Sequence, residues 1–445
     1  MKIRFKSISN NSKSVIINAI NSVGIKGCGI VVALLTTPAY LRYFNDNAVL
    51  GVWFTILSIL SWILNFDLGI GNGLRNRLVT TFVKNDEMAS KKYISSAYIF
   101  LTATSFALGL LIFVAIRLIS WNKFFNIGES RLESHILQNT ILIILISIML
   151  QFVLRIISSI LYALQKAFLP NFMSLLTNII LLVYVLICNN IGINNNIISL
   201  AIVYLIAVNA PLIVATILIF SKKLKKMRPN INYFDLKYAI DTLKVGGAFL
   251  GLQIEAMIIN NTSIFLITWL LGSELVVEYN IYFKVFSLVS TVFSLITIPI
   301  WSAVTKAKEE ENIVWIKKAT RILQLIAVIF VIGEILIIPL MQMVFNIWLK
   351  EKSFQVDYII MAIFVVEQGI VIWSAINATI CNGLSELKSQ FALMTIGAIL
   401  IIPIAIILTK LINGYYAVTL AHIIALIPYC VGQSIWIERY IKRNT

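Results

Sequence analysis

The chain has 445 residues, of which 59% are hydrophobic and only 13% charged, with 36 Lys and Arg against 20 Asp and Glu for a formal net charge of +16. Soluble domains carry about 25% charged and about 45–50% apolar residues, so this composition excludes a water-soluble enzyme, a disordered chain and a nucleic-acid-binding domain. The mean hydropathy of +0.91 fits a polytopic helical membrane protein.

Lys2, Arg4 and Lys6 are followed by the polar run Ser7 to Ser14, not by the apolar core of a cleavable signal. The basic tail is therefore expected to stay in the cytosol. A spanning helix needs about 20 mostly apolar residues. Twelve segments satisfy this: 15–41, 48–70, 93–120, 136–162, 169–189 and 197–221, then 244–271, 277–302, 319–347, 356–381, 389–410 and 415–437. Gly24, Gly27, Gly29 and Pro38 interrupt the first and leave open whether it bends or divides. With the N-terminus inside, and with Arg117, Arg321 and Lys410 near span ends assigned to the adjoining segments, the cytosolic segments hold 25 of the 36 Lys and Arg and the outer loops 7. That imbalance places both termini in the cytosol.

The longest polar segment between spans begins at Ser221 and carries Lys222, Lys223, Lys225, Lys226 and Arg228. It reads as a cytosolic linker that meets anionic headgroups. The expected organisation is an N-terminal six-helix lobe over 1–220, a basic cytoplasmic linker over 221–240 and a C-terminal six-helix lobe over 241–445. Because six is even, the second lobe re-enters from the same side. The fold is thus an all-α polytopic membrane protein of about twelve transmembrane helices, with lobes related by a pseudo-two-fold along the membrane normal.

Charges inside spans are costly and mark cavities or partners. Lys26 lies in span one, Asp67 near the inner end of span two, Glu255 in span seven and Lys284 in span eight. These are the first two spans of each half, which a two-fold axis would bring to one cleft. Asp67 precedes Arg75 and Arg77 by about two turns, so an interfacial salt bridge fits as well as a transport role. Lys26 and Glu255 fit a structural pair across the cleft as well as a binding site. Arg155 in span four snorkels towards the cytosolic surface. Glu255, Glu334 and Glu367 are candidates to titrate and couple transport to an ion; Glu334 and Glu367 equally fit protonated packing residues. His422, inside span twelve, reads as a core histidine. The cysteines, Cys28, Cys188, Cys381 and Cys430, read as buried thiols. No Walker A motif is present.

Several runs resemble the Wzx-type polysaccharide (O-antigen) flippases of the multidrug/oligosaccharidyl-lipid/polysaccharide exporter superfamily. They are Pro38-Ala-Tyr-Leu-Arg42, Leu50-Gly51-Val-Trp53 and Phe66-Asp67-Leu-Gly69-Ile-Gly71-Asn72-Gly73-Leu-Arg75. Leu164-Gln-Lys166, Pro299-Ile-Trp301 and Asn382-Gly383-Leu-Ser-Glu386 agree in order along the chain. The resemblance implies a central cationic cavity lined by spans one, two, seven and eight. It implies a substrate, undecaprenyl diphosphate bearing an oligosaccharide repeat unit of O-antigen or a related surface polysaccharide. That substrate would pass from the inner to the outer leaflet of the bacterial plasma membrane. On this reading Lys26, Lys284 and Arg75 neutralise the diphosphate, and Asp67 and Glu255 complete the cavity. No cofactor is expected beyond a coupling ion, H+ or Na+. The partners are membrane lipid and other polysaccharide-assembly proteins, with no nucleic acid. The chain is expected to be a transporter and not an enzyme. The alternative is a multidrug or cation antiporter of the same superfamily. A polysaccharide polymerase or ligase fits less well, because the outer loops are short.

Overall fold

The computed structural model describes residues 8–65, 70–164, 166, 168–188, 192–384, 386, 388–412 and 414–444. Asp67, and with it the Phe66–Gly69 part of the flippase-like run, lies outside the described residues. All regular structure among the described residues is helical. Eleven helices are long and apolar enough to cross a membrane, and one further pair, bent by 48°, raises the number to twelve. They follow the twelve segments read from the sequence. The chain is a multi-pass membrane protein of two compact units.

The first unit comprises Met1–Asp46 and Leu60–Gly251. Helix α1 (Ile8–Phe44) runs unbroken through Pro38. It packs on α8 (Phe168–Ile187), while α6 (Ser134–Leu154) packs on α9 (Ile193–Leu218) and on α4 (Glu87–Ile116). The Tyr43 hydroxyl donates to the Asn196 carbonyl at 3.1 Å, and the Asn196 amide returns a bond to the Tyr43 carbonyl at 2.8 Å. This pair satisfies polar groups that hydrocarbon cannot. The core holds Leu74, Leu78 and Phe82 of α3 (Ile70–Val83) and Ile157, Ile160 and Leu161 of α7 (Ile156–Ala163). Span four divides into α6 and α7 at Arg155. The Arg155 side chain does not simply snorkel: its Nη1 donates to the Leu64 carbonyl at 2.7 Å. That carbonyl lies in the last turn of α2 (Asn47–Asn65), where acceptors lack helical donors.

Residues 219–241 are ordered turns held to this unit. A π turn, Ile219–Lys223, and two 3-10 turns, Lys225–Met227 and Ile231–Tyr233, lead into α10 (Leu236–Asn261). Ser95 Oγ accepts from Asn230 N at 3.1 Å, and Ser96 Oγ accepts from Asp235 N at 3.0 Å. Arg77 Nη2 lies 2.5 Å from Asp241 Oδ1, and the Tyr93 hydroxyl donates to Asp241 Oδ2 at 2.7 Å.

The second unit comprises Asn47–Ile59 and Leu252–Thr445. Its first span bends between Ile254–Asn261 and α11 (Ser263–Leu271). At the bend the Thr262 hydroxyl bonds back to the Ile258 carbonyl, a known way to loosen a helix. Gly272, at φ 109°, then turns the chain into α12 (Glu274–Glu309). The 47–59 stretch of α2 lies on this turn through one face. Thr55 Oγ1 is 2.5 Å from Thr268 Oγ1, and Ser58 Oγ donates to the Asn261 carbonyl at 2.9 Å. Gly51, one turn earlier, meets Ser273 so closely that a Cβ would sit 1.6 Å from its carbonyl oxygen.

The rest of this unit is α13 (Ile313–Ile337), α14 (Met341–Leu349), α15 (Tyr358–Gly383), α16 (Lys388–Leu411) and α17 (Tyr416–Asn444). Pro339 lies in a 3-10 turn that breaks span nine into α13 and α14. Helix α15 is central: α12, α13 and α17 all pack on it. Asn312 and Asp357 cap α13 and α15, accepting from Trp315 N at 3.0 Å and Ile359 N at 2.8 Å. Of the cysteines, Cys381 and Cys430 are buried and Cys188 half-buried. Cys28 is exposed on α1, against the expectation for it.

Candidate functional site

The second unit concentrates ionisable groups within its spans. Glu367, in the middle of α15, is 1% exposed at its side chain, and His422 of α17 is 5% exposed. His422 Nδ1 and Glu367 Oε1 lie 2.7 Å apart, within hydrogen-bond distance. Gln368 follows Glu367 on α15, and its Oε1 accepts from Ser290 Oγ of α12 at 2.7 Å. Three helices thus meet at one polar cluster. His422 Nε2 has no hydrogen-bond partner among the described residues.

Two further carboxyls are buried in this unit. The Thr395 hydroxyl of α16 donates to Glu255 Oε1, and Glu255 Oε2 has no partner among the described residues. Glu334 of α13 is 3% exposed, with neither carboxyl oxygen hydrogen-bonded among the described residues.

Lys284 is half-buried on α12. Ser287, Thr291 and Ser294 follow it at helical spacings of three, seven and ten, so all four share one face. Each hydroxyl bonds back to its own helix: Ser287 to the Lys284 carbonyl at 3.4 Å, Thr291 to the Ser287 carbonyl at 2.8 Å and Ser294 to the Thr291 carbonyl at 2.6 Å. Such back-bonding makes a hydroxyl tolerable within a span while its remaining lone pairs stay available. Thr291 is exposed and Ser287 and Ser294 are half-buried.

The remaining sequence candidates lie in the first unit. Lys26 is exposed on α1. Arg75 is exposed on α3, with its guanidinium 5.1 Å over the Tyr162 ring. The sequence reading missed the Glu367–His422 pair and the hydroxyl face of α12. The pair's signal was one acid and one histidine, each in mid-span. The hydroxyls' signal was a three-and-four spacing counted from Lys284.

No family model matches the sequence, and no curated protein matches it. Solved structures do match in shape. An inward-facing multidrug resistance MATE-family transporter of the MOP superfamily aligns with a TM-score of 0.77 at 14% identity, covering 96% of this chain and 98% of that one. The chain has the MOP-superfamily fold. The lipid II flippase MurJ, in an inward closed conformation, aligns with a TM-score of 0.74 at 18% identity over 95% of this chain and 87% of its own. A MOP-superfamily transporter from Pyrococcus furiosus, described as having a binding pocket of reverse polarity, aligns at 0.62 and 13% identity over 96% of each chain.

Proposed function

We propose that this protein translocates an undecaprenyl-diphosphate-linked oligosaccharide, a repeat unit of O-antigen or a related surface polysaccharide, from the inner to the outer leaflet of a bacterial plasma membrane. The observation that carries the reading is the Lys284–Ser287–Thr291–Ser294 face of α12. A cation followed by accessible hydroxyls, within a span, suits a head group made of diphosphate and sugar. Lys284 neutralises phosphate charge as a point charge, and the hydroxyls exchange hydrogen bonds with sugar hydroxyls. Lys26 and Arg75 supply further positive charge, and the prenyl tail stays in lipid. The flippase-like runs, and the likeness in fold to a lipid II flippase, support the same substrate class.

Glu367 and His422 couple the cycle to protons on this reading. The pair takes up a proton in one conformation and releases it in the other, and this biases the second unit between two states. Glu255 and Glu334 are the other candidates, with Na+ as the alternative ion.

A second reading is a multidrug or cation antiporter. The three buried carboxyls of the second unit favour it, as does the likeness in fold to a multidrug transporter. One experiment separates the two. In a strain that makes the cognate repeat unit but lacks this protein, the flippase reading expects lipid-linked oligosaccharide to accumulate on the inner leaflet and surface polymer to disappear. Wild-type chain restores both, and Lys284→Ala inserts normally but does not restore them. Normal surface polymer with heightened drug sensitivity would establish the antiporter instead.

A further inference from the structure

From the end of α9 into α10, residues 219–241 form an ordered basic platform. Its acids are neutralised internally: Asp241 by Arg77, Asp235 by Lys92 at 3.9 Å, and Glu87 of α4 by Lys226 at 3.6 Å. Its other cations are not. Lys222, Lys223, Lys225, Arg228 and Lys237 have no carboxylate within ion-pair distance among the described residues, and all five are exposed. Lys166, arriving from the loop after α7, adds its charge close to Lys223. Like charges gathered at the membrane end of α9 repel one another unless an anion lies among them.

The same segment exposes apolar side chains that a water-facing loop would hide. Ile231 is 75% exposed, Leu236 54%, Ile240 41% and Phe234 40%. They do not belong to a loose loop. Leu224 and Met227 are buried pegs in the core of the first unit, and the Ser95 and Ser96 bonds fix the turns onto α4. Cations beside exposed aliphatic and aromatic groups, at the mouth of a span, are the composition of an interfacial membrane-binding segment.

We infer that residues 222–240 are a docking surface for anionic phospholipid. The head-group phosphates lie among Lys222, Lys223, Lys225 and Arg228, with Ile231, Phe234 and Leu236 inserted at the boundary with the acyl chains. Because the platform is fixed to α4 and opens directly into α10, bound lipid holds the start of α10 at a set depth. Charge complementarity selects the lipid over a protein partner: the exposed cations outnumber the unpaired acids, and the apolar groups are spread along turns rather than gathered in a groove.

The test uses the full chain, purified and placed in nanodiscs of phosphatidylcholine alone or with one quarter phosphatidylglycerol. Hydrogen exchange is followed in peptides covering 222–240, and co-purified lipid is counted by mass spectrometry. We expect exchange to slow at least fivefold with phosphatidylglycerol and retained phosphatidylglycerol to exceed phosphatidylcholine at least threefold. Both effects should vanish in the Lys222→Gln/Lys223→Gln/Lys225→Gln/Arg228→Gln variant. The variant Ile231→Ser/Phe234→Ser should keep the lipid preference but lose the slowed exchange. Equal exchange in both nanodiscs, or equal retention by wild type and the Gln variant, would overturn the inference. So would protection by inorganic phosphate alone in detergent to the same degree, which would assign the cations to a soluble anion. None of these outcomes depends on what the protein transports.

Discussion

Replacing Glu367 or His422 tests whether the two act as one unit. Their side chains are 1% and 5% exposed and meet at 2.7 Å, so removing one leaves the other buried without its partner. Breaking a buried ionic pair in this way costs about 3–5 kcal/mol, whereas neutral hydrogen bonds within membrane proteins average about 0.6 kcal/mol and reach about 1.7. We expect Glu367→Ala and His422→Ala each to cost about 3 kcal/mol. The double variant, which leaves no orphan, should cost far less than their sum, giving a coupling of about 1.5–3 kcal/mol. Glu367→Gln keeps a hydrogen-bond partner for His422 Nδ1 and should cost about 1 kcal/mol. Denaturant unfolding in one detergent gives all four values. In proteoliposomes, Glu367→Gln should bind substrate but lose the dependence of translocation on a pH gradient. Additivity of the single variants within about 0.5 kcal/mol would refute the paired arrangement. An undiminished pH-gradient dependence in Glu367→Gln would refute its coupling role while leaving the pair standing.

Other expectations follow from the same structure. Gly51→Ala places a Cβ 1.6 Å from backbone that has no flexible end to yield, so the 47–59 stretch must retreat from Ser273. A cost of about 1–3 kcal/mol is expected, together with new cysteine accessibility at Thr268→Cys by maleimide labelling; wild-type accessibility in the Gly51→Ala background would contradict it. Asp241→Asn loses an ion pair whose partners are 36% and 33% exposed. It should cost only about 1 kcal/mol and become nearly silent at high salt, checked by melting in low and high NaCl. Lys284→Arg should retain part of the translocation that Lys284→Ala abolishes, because the charge survives while its reach changes; equal activity in all three chains would remove Lys284 from the binding face. Tyr415 is buried and its hydroxyl donates to Glu278 Oε1 at 2.8 Å, so Tyr415→Phe should lose about 1 kcal/mol of stability in denaturant unfolding; an unchanged stability would remove this bond from the account.

The sequence by itself determined the class and the number of spans. Hydropathy is a one-dimensional property: a run of about 20 apolar residues crosses a bilayer whatever its neighbours do. It also marked Lys284, Glu255, Glu334 and Glu367 as groups needing a reason to be there, since each lies in an apolar run. The tertiary structure decided who answers whom. Glu367 and His422 are 55 positions apart, and only the packing of α15 on α17 brings them into contact. Arg155 looked like a snorkelling side chain until the end of α2 came within reach of its guanidinium. The basic segment after α9 read as a solvated linker because composition alone says nothing of the Ser95 and Ser96 bonds that order it. Pairing of this kind rests on helix rotation and depth across separate spans, and neither leaves a periodic trace along a single chain.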